Sequence, residues 1–223
     1  MAAPARREKE KRDPEATRRA LLQAGADLFS ERGFDGVPIE EVADRAGVNK
    51  ALISYHFRGK RGLYVAVLES TFASLADRLK ASEAASSSAR DALRSFLGTF
   101  ERFARERTGF PTLFMREVLA AGIDEAVLPH LLEIIGFSRR LAERGAREGV
   151  FRRVDPLLFH LTLVGSLIFF FATEPARRKA AAQARVGLVL PDSNAFLHYL
   201  EELTLRGLAH ENPKGRRRKG AHA

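Results

Sequence analysis

Residues 39–68 read IEEVADRAGVNKALISYHFRGKRGLYVAVL, and this stretch decides the fold. Ile39, Val42, Ala43 and Ala46 recur at three- and four-residue spacings, which is the period of one buried helix face. Pro38 opens this short helix, because its fixed φ suits a first helical turn, and Gly47 closes it. Asn49 is the expected N-cap of a second short helix, Lys50 to Phe57, since its side chain can accept an otherwise unpaired backbone N–H. In that helix Ile53 and Phe57 face the core with Val48. Lys50, Ala51, Ser54 and Tyr55 are left on the other side. A longer helix follows from about Lys60, with Leu63, Val67 and Leu68 inward.

Upstream, the segment TRRALLQAGADLFSERGF, residues 17–34, places Ala20, Leu21, Ala24, Leu28 and Phe29 on one helical face, and Gly33 ends that helix. Two short helices joined through Ala46, Gly47 and Val48, the second presenting small, polar, aromatic and basic side chains outward, have the form of a helix-turn-helix spanning Pro38 to Phe57. A helix about 10–12 Å across fits the major groove of DNA, and small residues near its start let the backbone approach the bases. Lys50 can donate to guanine O6 and N7, and Ser54 to several base edges or a phosphate. Tyr55, His56 and Lys60 are better placed for backbone phosphates, which set register without reading sequence.

At these residues the chain resembles the TetR/AcrR family of bacterial transcriptional regulators, with wording similar to its CecR-type members. The likeness runs from about Pro14 to Thr71, a quarter of the chain. It implies an all-α dimer. A three-helix DNA-binding domain would be followed by a larger helical domain that binds a small-molecule inducer and holds the dimer together. The resemblance carries DNA contacts onto Asn49, Lys50, Ala51, Ser54, Tyr55, His56 and Lys60, with Thr17 as a phosphate contact. Val37-Pro38 stands where the family usually has two hydroxyl residues, and Ser54 replaces a frequent Tyr. Leu52, also unusual, either meets a thymine methyl or packs inward.

Charge sharpens this reading. The chain of 223 residues carries a formal net charge of +9, but the arm Met1 to Arg12 holds +3 and the tail Pro213 to Ala223 holds +5. The body, with 27 basic and 26 acidic residues, is nearly neutral. Within it no acid occurs between Asp44 and Glu69, while Arg45 and Lys50 on the helix-turn-helix and Arg58, Lys60 and Arg61 just after it supply five positive charges. Cysteine is absent, which excludes disulfides, thiolate metal sites and cysteine nucleophiles. The first residues lack the apolar run of a secretory signal, so the protein is expected to stay in the cytoplasm.

Downstream the pattern stays helical. The polar stretch Ala81 to Arg90 is expected as a connection, and Leu93, Phe96, Leu97, Phe100 and Phe103 then repeat at helical spacing, as do Leu113, Phe114, Val118 and Leu119. A helix is expected from about Asp124 to Arg147, another from Asp155-Pro156 to a stop at Glu174-Pro175, and a last one over Ser193 to Leu208 with Phe196, Leu197, Leu200 and Leu203 inward. The apolar run Leu157 to Ala172 is short for a membrane span and contains His160, Thr162 and Ser166. It reads as a buried central helix or half of a subunit interface. Phe103, Phe110, Phe114 and Met115, with Arg116, His130 and His160, are candidates for an apolar ligand pocket with a few polar groups. For each the alternative is ordinary core packing, and for His160 a hydrogen-bonded core histidine.

The expected organisation is a basic arm (1–13), a helix-turn-helix domain (14–74), a helical ligand-binding and dimerisation domain (75–210) and a basic tail (211–223). The expected function is a repressor released from a palindromic double-stranded operator by a small apolar ligand, with no membrane partner. The alternative is a non-specific architectural DNA binder, which the basic ends would suit. No catalytic motif is present: there is no phosphate-binding Gly-rich loop, zinc His pair or nucleophile elbow, and no metal or cofactor is expected.

Overall fold

The computed structural model describes residues 13–119, 122–184, 187 and 189–209. The basic arm and tail, apart from Asp13, lie outside these residues. The described chain is all helical, in the order α1 (Pro14–Arg32), α2 (Ile39–Ala46), α3 (Ala51–Phe57), α4 (Lys60–Ala84), α5 (Ala89–Glu106), α6 (Phe110–Leu119), α7 (Leu128–Arg147), α8 (Pro156–Ala172), α9 (Glu174–Gln183) and α10 (Ser193–Gly207). It divides into two compact units after Ser70, inside α4.

In the first unit Asp13 caps α1 by accepting the Glu15 N–H at 3.0 Å. Leu21, Leu28 and Phe29 on α1 are buried with Val37, Val42, Ile53, Leu63 and Val67, and Phe29 meets Tyr64 edge-on with centroids 5.0 Å apart. The corner from α3 into α4 is tight. Arg58 closes α3 in the left-handed region at φ 61°, and a Cβ on Gly62 would lie 1.7 Å from the Phe57 carbonyl oxygen. Only glycine fits there, so position 62 fixes how α3 enters the first turn of α4.

The second unit is built on phenylalanine. Phe72, Phe100, Phe103, Phe110 and Phe114 form one ring cluster, with Phe103 edge-on to Phe110 at 4.9 Å and Phe72 stacked on Phe114 at 5.4 Å. Phe96 stacks on Phe137 at 5.1 Å, joining α5 to α7. Phe151 lies against Gly145, where a Cβ would meet its ring at 1.9 Å. Charged contacts fasten α7 to the α4–α5 corner: Arg140 makes a fork to Glu83, Arg144 donates to the Ser86 carbonyl, and Glu148 accepts the Ala89 N–H at 2.6 Å.

Several boundaries differ from the sequence reading. Pro38 precedes α2 in extended backbone and is not its first residue, and α3 begins at Ala51, one residue later than expected. Most of the expected connection Ala81 to Arg90 is helical: α4 runs to Ala84, where Ser82 satisfies its hydroxyl on the Leu79 carbonyl, and α5 starts at Ala89, so the break is only residues 85–88. Asp124 does not start α7. Its carboxylate accepts the Ala126 N–H in a preceding turn, and the helix begins at Leu128. Glu174-Pro175 does stop α8 but also starts α9, with the proline in the first turn where its missing N–H costs nothing. Leu203, read as inward, is exposed, and so are Val118 and Leu119, which share the helical repeat of Leu113 and Phe114. Among the described residues no single helix is long and apolar enough to cross a membrane.

Candidate DNA-binding site

The helix-turn-helix is set by its caps. Gly47 takes left-handed backbone at φ 64° and its N–H returns to the Ala43 and Asp44 carbonyls, which ends α2 and turns the chain. Asn49 Oδ1 then accepts the Ala51 N–H at 2.8 Å, so the expected capping side chain is present although Lys50 is the residue just before α3. Ile53 and Phe57 are buried, which turns the opposite face of α3 outward. On that face Asn49, Lys50, Ala51 and Ser54 are exposed, and Tyr55 is 78% exposed. His56 and Lys60 are half-buried at its border, and Leu52 is half-buried. Thr17 differs: it is buried on α1, with only 5% of its surface exposed, which leaves little of it to meet a phosphate.

Side chains that the sequence did not single out shape the electrostatics. Glu40 on α2 lies 3.4 Å from Lys50 Nζ, and Arg32 pairs with Glu41. Glu40 is held below the ordinary carboxylate value by its own backbone N–H and then by Lys50. Lys60 sits over the Phe34 ring at 4.5 Å, and Arg18 over Phe57 at 5.4 Å, so the border cations rest on aromatic faces. Val37, which stands where the resembled family usually has a hydroxyl residue, is fully buried and contributes to the core. A ten-residue separation joins Glu40 to Lys50 across the turn. No local spacing rule detects such a pair, because it depends on the crossing of the two helices.

The second unit places the expected pocket residues differently from one another. Phe103, Phe110 and Phe114 belong to the packed ring cluster, Met115 and His130 are half-buried, and Arg116 is exposed. His160 is buried with Nδ1 at 3.0 Å from Ser138 Oγ, and burial lowers its pKa below the ordinary imidazole value. A cavity of about 270 Å³ lies elsewhere in the unit, between the ends of α5 and α8, α9 and the approach to α10. Arg105, Arg177, Ser193, Phe170 and Phe171 line it. None of the seven expected residues does. A second hollow of about 420 Å³, lined by Leu158, Phe159, Thr162, Leu163, Leu203 and Thr204, runs between α8 and α10. Around it α8 and α10 expose Leu157, Leu158, Leu161, Phe169, Tyr199 and Leu203.

Comparisons with known proteins agree with this geometry. Residues 21–67 match the family model described as bacterial regulatory proteins, tetR family. Over 197 residues, 86% of this chain and 92% of its relative, the sequence is 27% identical to the HTH-type transcriptional repressor NicS of Pseudomonas putida. Over 60 residues it is 43% identical to the HTH-type transcriptional regulator RutR of Escherichia coli, covering 27% of this chain and 28% of that protein. In fold it is similar to the transcriptional regulator FadR from Bacillus subtilis in complex with stearoyl-CoA, with a TM-score of 0.70, 13% identity and coverage of 85% of this chain and 98% of that one.

Proposed function

We propose that this chain, which belongs to the TetR family of transcriptional regulators, is a dimeric repressor released from a palindromic operator by a small apolar ligand. The observation that carries the DNA-binding half is the outer face of α3, where Asn49, Lys50, Ala51, Ser54 and Tyr55 are exposed while Ile53 and Phe57 anchor the helix. Lys50 reads bases and Ser54 reads bases or a phosphate. Tyr55, His56 and Lys60 hold phosphates. Two such helices in a symmetric dimer would stand about 34–36 Å apart and enter successive major grooves. The apolar side chains left outward on α8 and α10 support that dimer, since a large exposed apolar patch marks an interaction site.

Release needs only differential affinity. A tenfold loss of DNA binding takes about 1.4 kcal/mol, within the range of about 1–3 kcal/mol ordinary for allosteric coupling. The unbroken helix α4 starts in the first unit and ends in the second, which makes it the element through which ligand and DNA would be coupled. A named repressor among the relatives and a neighbour in fold that holds an acyl-CoA support the same reading.

The test is a mobility-shift titration with the DNA upstream of the chain's own coding region against random DNA. A repressor should prefer its operator by roughly a thousandfold or more. An equal affinity for both would overturn the reading and favour the architectural one.

A further inference from the structure

We infer that the 270 Å³ cavity of the second unit is a site for a small organic acid, one anionic group on an apolar body, held by Arg177. This rests on the ligand-responsive reading above and changes the class of ligand from a wholly apolar one to one that carries a single anionic group. Arg177 Nη1 donates to the Phe170 carbonyl at 2.6 Å and to Thr173 Oγ1, and the guanidinium lies over the Phe170 ring at 4.3 Å. Phe196 stacks on Phe170 with centroids 3.9 Å apart. The fork is therefore fixed in place before any ligand arrives. Its Nε and Nη2 donors have no partner among the described residues, and a planar guanidinium with two parallel donors is the natural partner of a carboxylate.

The other charges of the lining are already committed. Arg105 pairs with Glu101 and donates to Ser193 Oγ at 2.7 Å. Arg178 pairs with Glu174 at 2.6 Å, and Asp192 caps α10 by accepting the Ala195 N–H at 2.8 Å. Arg177 is thus the guanidinium of this lining whose contacts among the described residues are all neutral acceptors or an aromatic face. Ala104, Pro111, Phe171 and Leu190 supply apolar wall for the rest of the ligand. At about 30 Å³ per water the space holds roughly nine waters, the scale of a short acyl chain or a single ring.

The probes are benzoate and butyrate, each against its neutral amide, titrated calorimetrically into the full chain without DNA. The acids should bind at least tenfold more tightly than benzamide and butyramide, about 1.4 kcal/mol, and that preference should vanish in Arg177→Gln. Equal binding of acid and amide, no acid binding in the millimolar range, or an undiminished preference in Arg177→Gln would each overturn the site. Because Arg177 also ties down the end of α8, a soak of wild-type crystals with 4-iodobenzoate provides a reading that needs no variant. Iodine density beside Phe170 supports the site, and density only elsewhere overturns it. Operator affinity is measured separately. An acid that binds at Arg177 but leaves operator affinity unchanged upholds the site and overturns the release reading.

Discussion

Helices α3 and α8 leave opposite kinds of surface in water. The seven residues of α3 bury Ile53 and Phe57 and expose side chains that water solvates well. The 17 residues of α8 bury Phe159, Leu163, Val164, Leu167 and Ile168 on one face, yet keep Leu157, Leu158, Leu161 and Phe169 exposed on the other. A polar face costs nothing while it waits for a polyanion. An apolar face costs about 25 cal/mol for every Å² kept wet, so it implies a partner in the working state. The two helices therefore make different predictions: α3 should be sensitive to chemistry, residue by residue, and α8 to association.

The largest effect is expected on α8. Leu161→Asp places a charge in the middle of the proposed interface at a position already exposed in the single chain, so folding should persist while the dimer is lost. Light scattering should give half the mass, and operator affinity should fall by roughly a hundredfold or more as two linked half-site contacts become one. A monomeric wild-type protein, or a dimeric variant with normal affinity, would break the contrast between the helices. Next comes Lys50→Ala on α3, expected to cost about 1–3 kcal/mol of specific binding and to relax base preference at one position per half-site. Unchanged operator affinity would remove Lys50 from the reading face.

The same contrast explains how much was legible in the sequence. The helix-turn-helix showed because its signals are local: Gly47 in left-handed backbone, Asn49 on the Ala51 N–H, and apolar residues at helical spacing. The basic run between Asp44 and Glu69 was legible as charge, but the pairing of Lys50 with Glu40 across the turn was not. In the second unit the helices were legible from period and caps, Asp155 accepting two N–H groups at the start of α8 being one case. The cavity was not. Phe103, Phe110 and Phe114 pack on one another, while the space lies beside Arg105 and Arg177, which are distant in sequence. Apolar content marks a core, and where that core fails to close depends on tertiary packing.

A smaller effect separates the buried face of α8 from its outer one. Burial lowers the pKa of His160 in the fold, whereas the unfolded chain binds a proton near the ordinary value of about 6.5. Protons then favour the unfolded chain. The associated stability is complete above about pH 6.5 and declines as pH falls toward the depressed folded value. Thermal unfolding should show a drop across this window that is reduced in His160→Gln. An identical pH profile in the variant would mean that His160 does not titrate differently in the two states.

The smallest effect tests whether the face of α3 is purely attractive. Glu40 holds Lys50 in an exposed pair at 3.4 Å, and its own backbone N–H and Lys50 favour its charged form. A lysine engaged by a neighbouring carboxylate is less available to any passing phosphate, while a well-placed guanine can still compete for it. Glu40→Gln should therefore strengthen binding to random DNA by a few fold and operator binding by less, so that the specificity ratio falls. Freeing one cation for phosphates should also steepen the dependence of log K on log salt by up to about 0.9 for random DNA. An equal gain on both DNAs with an unchanged slope difference would reduce Glu40 to background charge. A loss of operator binding would show that the carboxylate positions Lys50 for its base, because the pair would then order the reading side chain instead of restraining it.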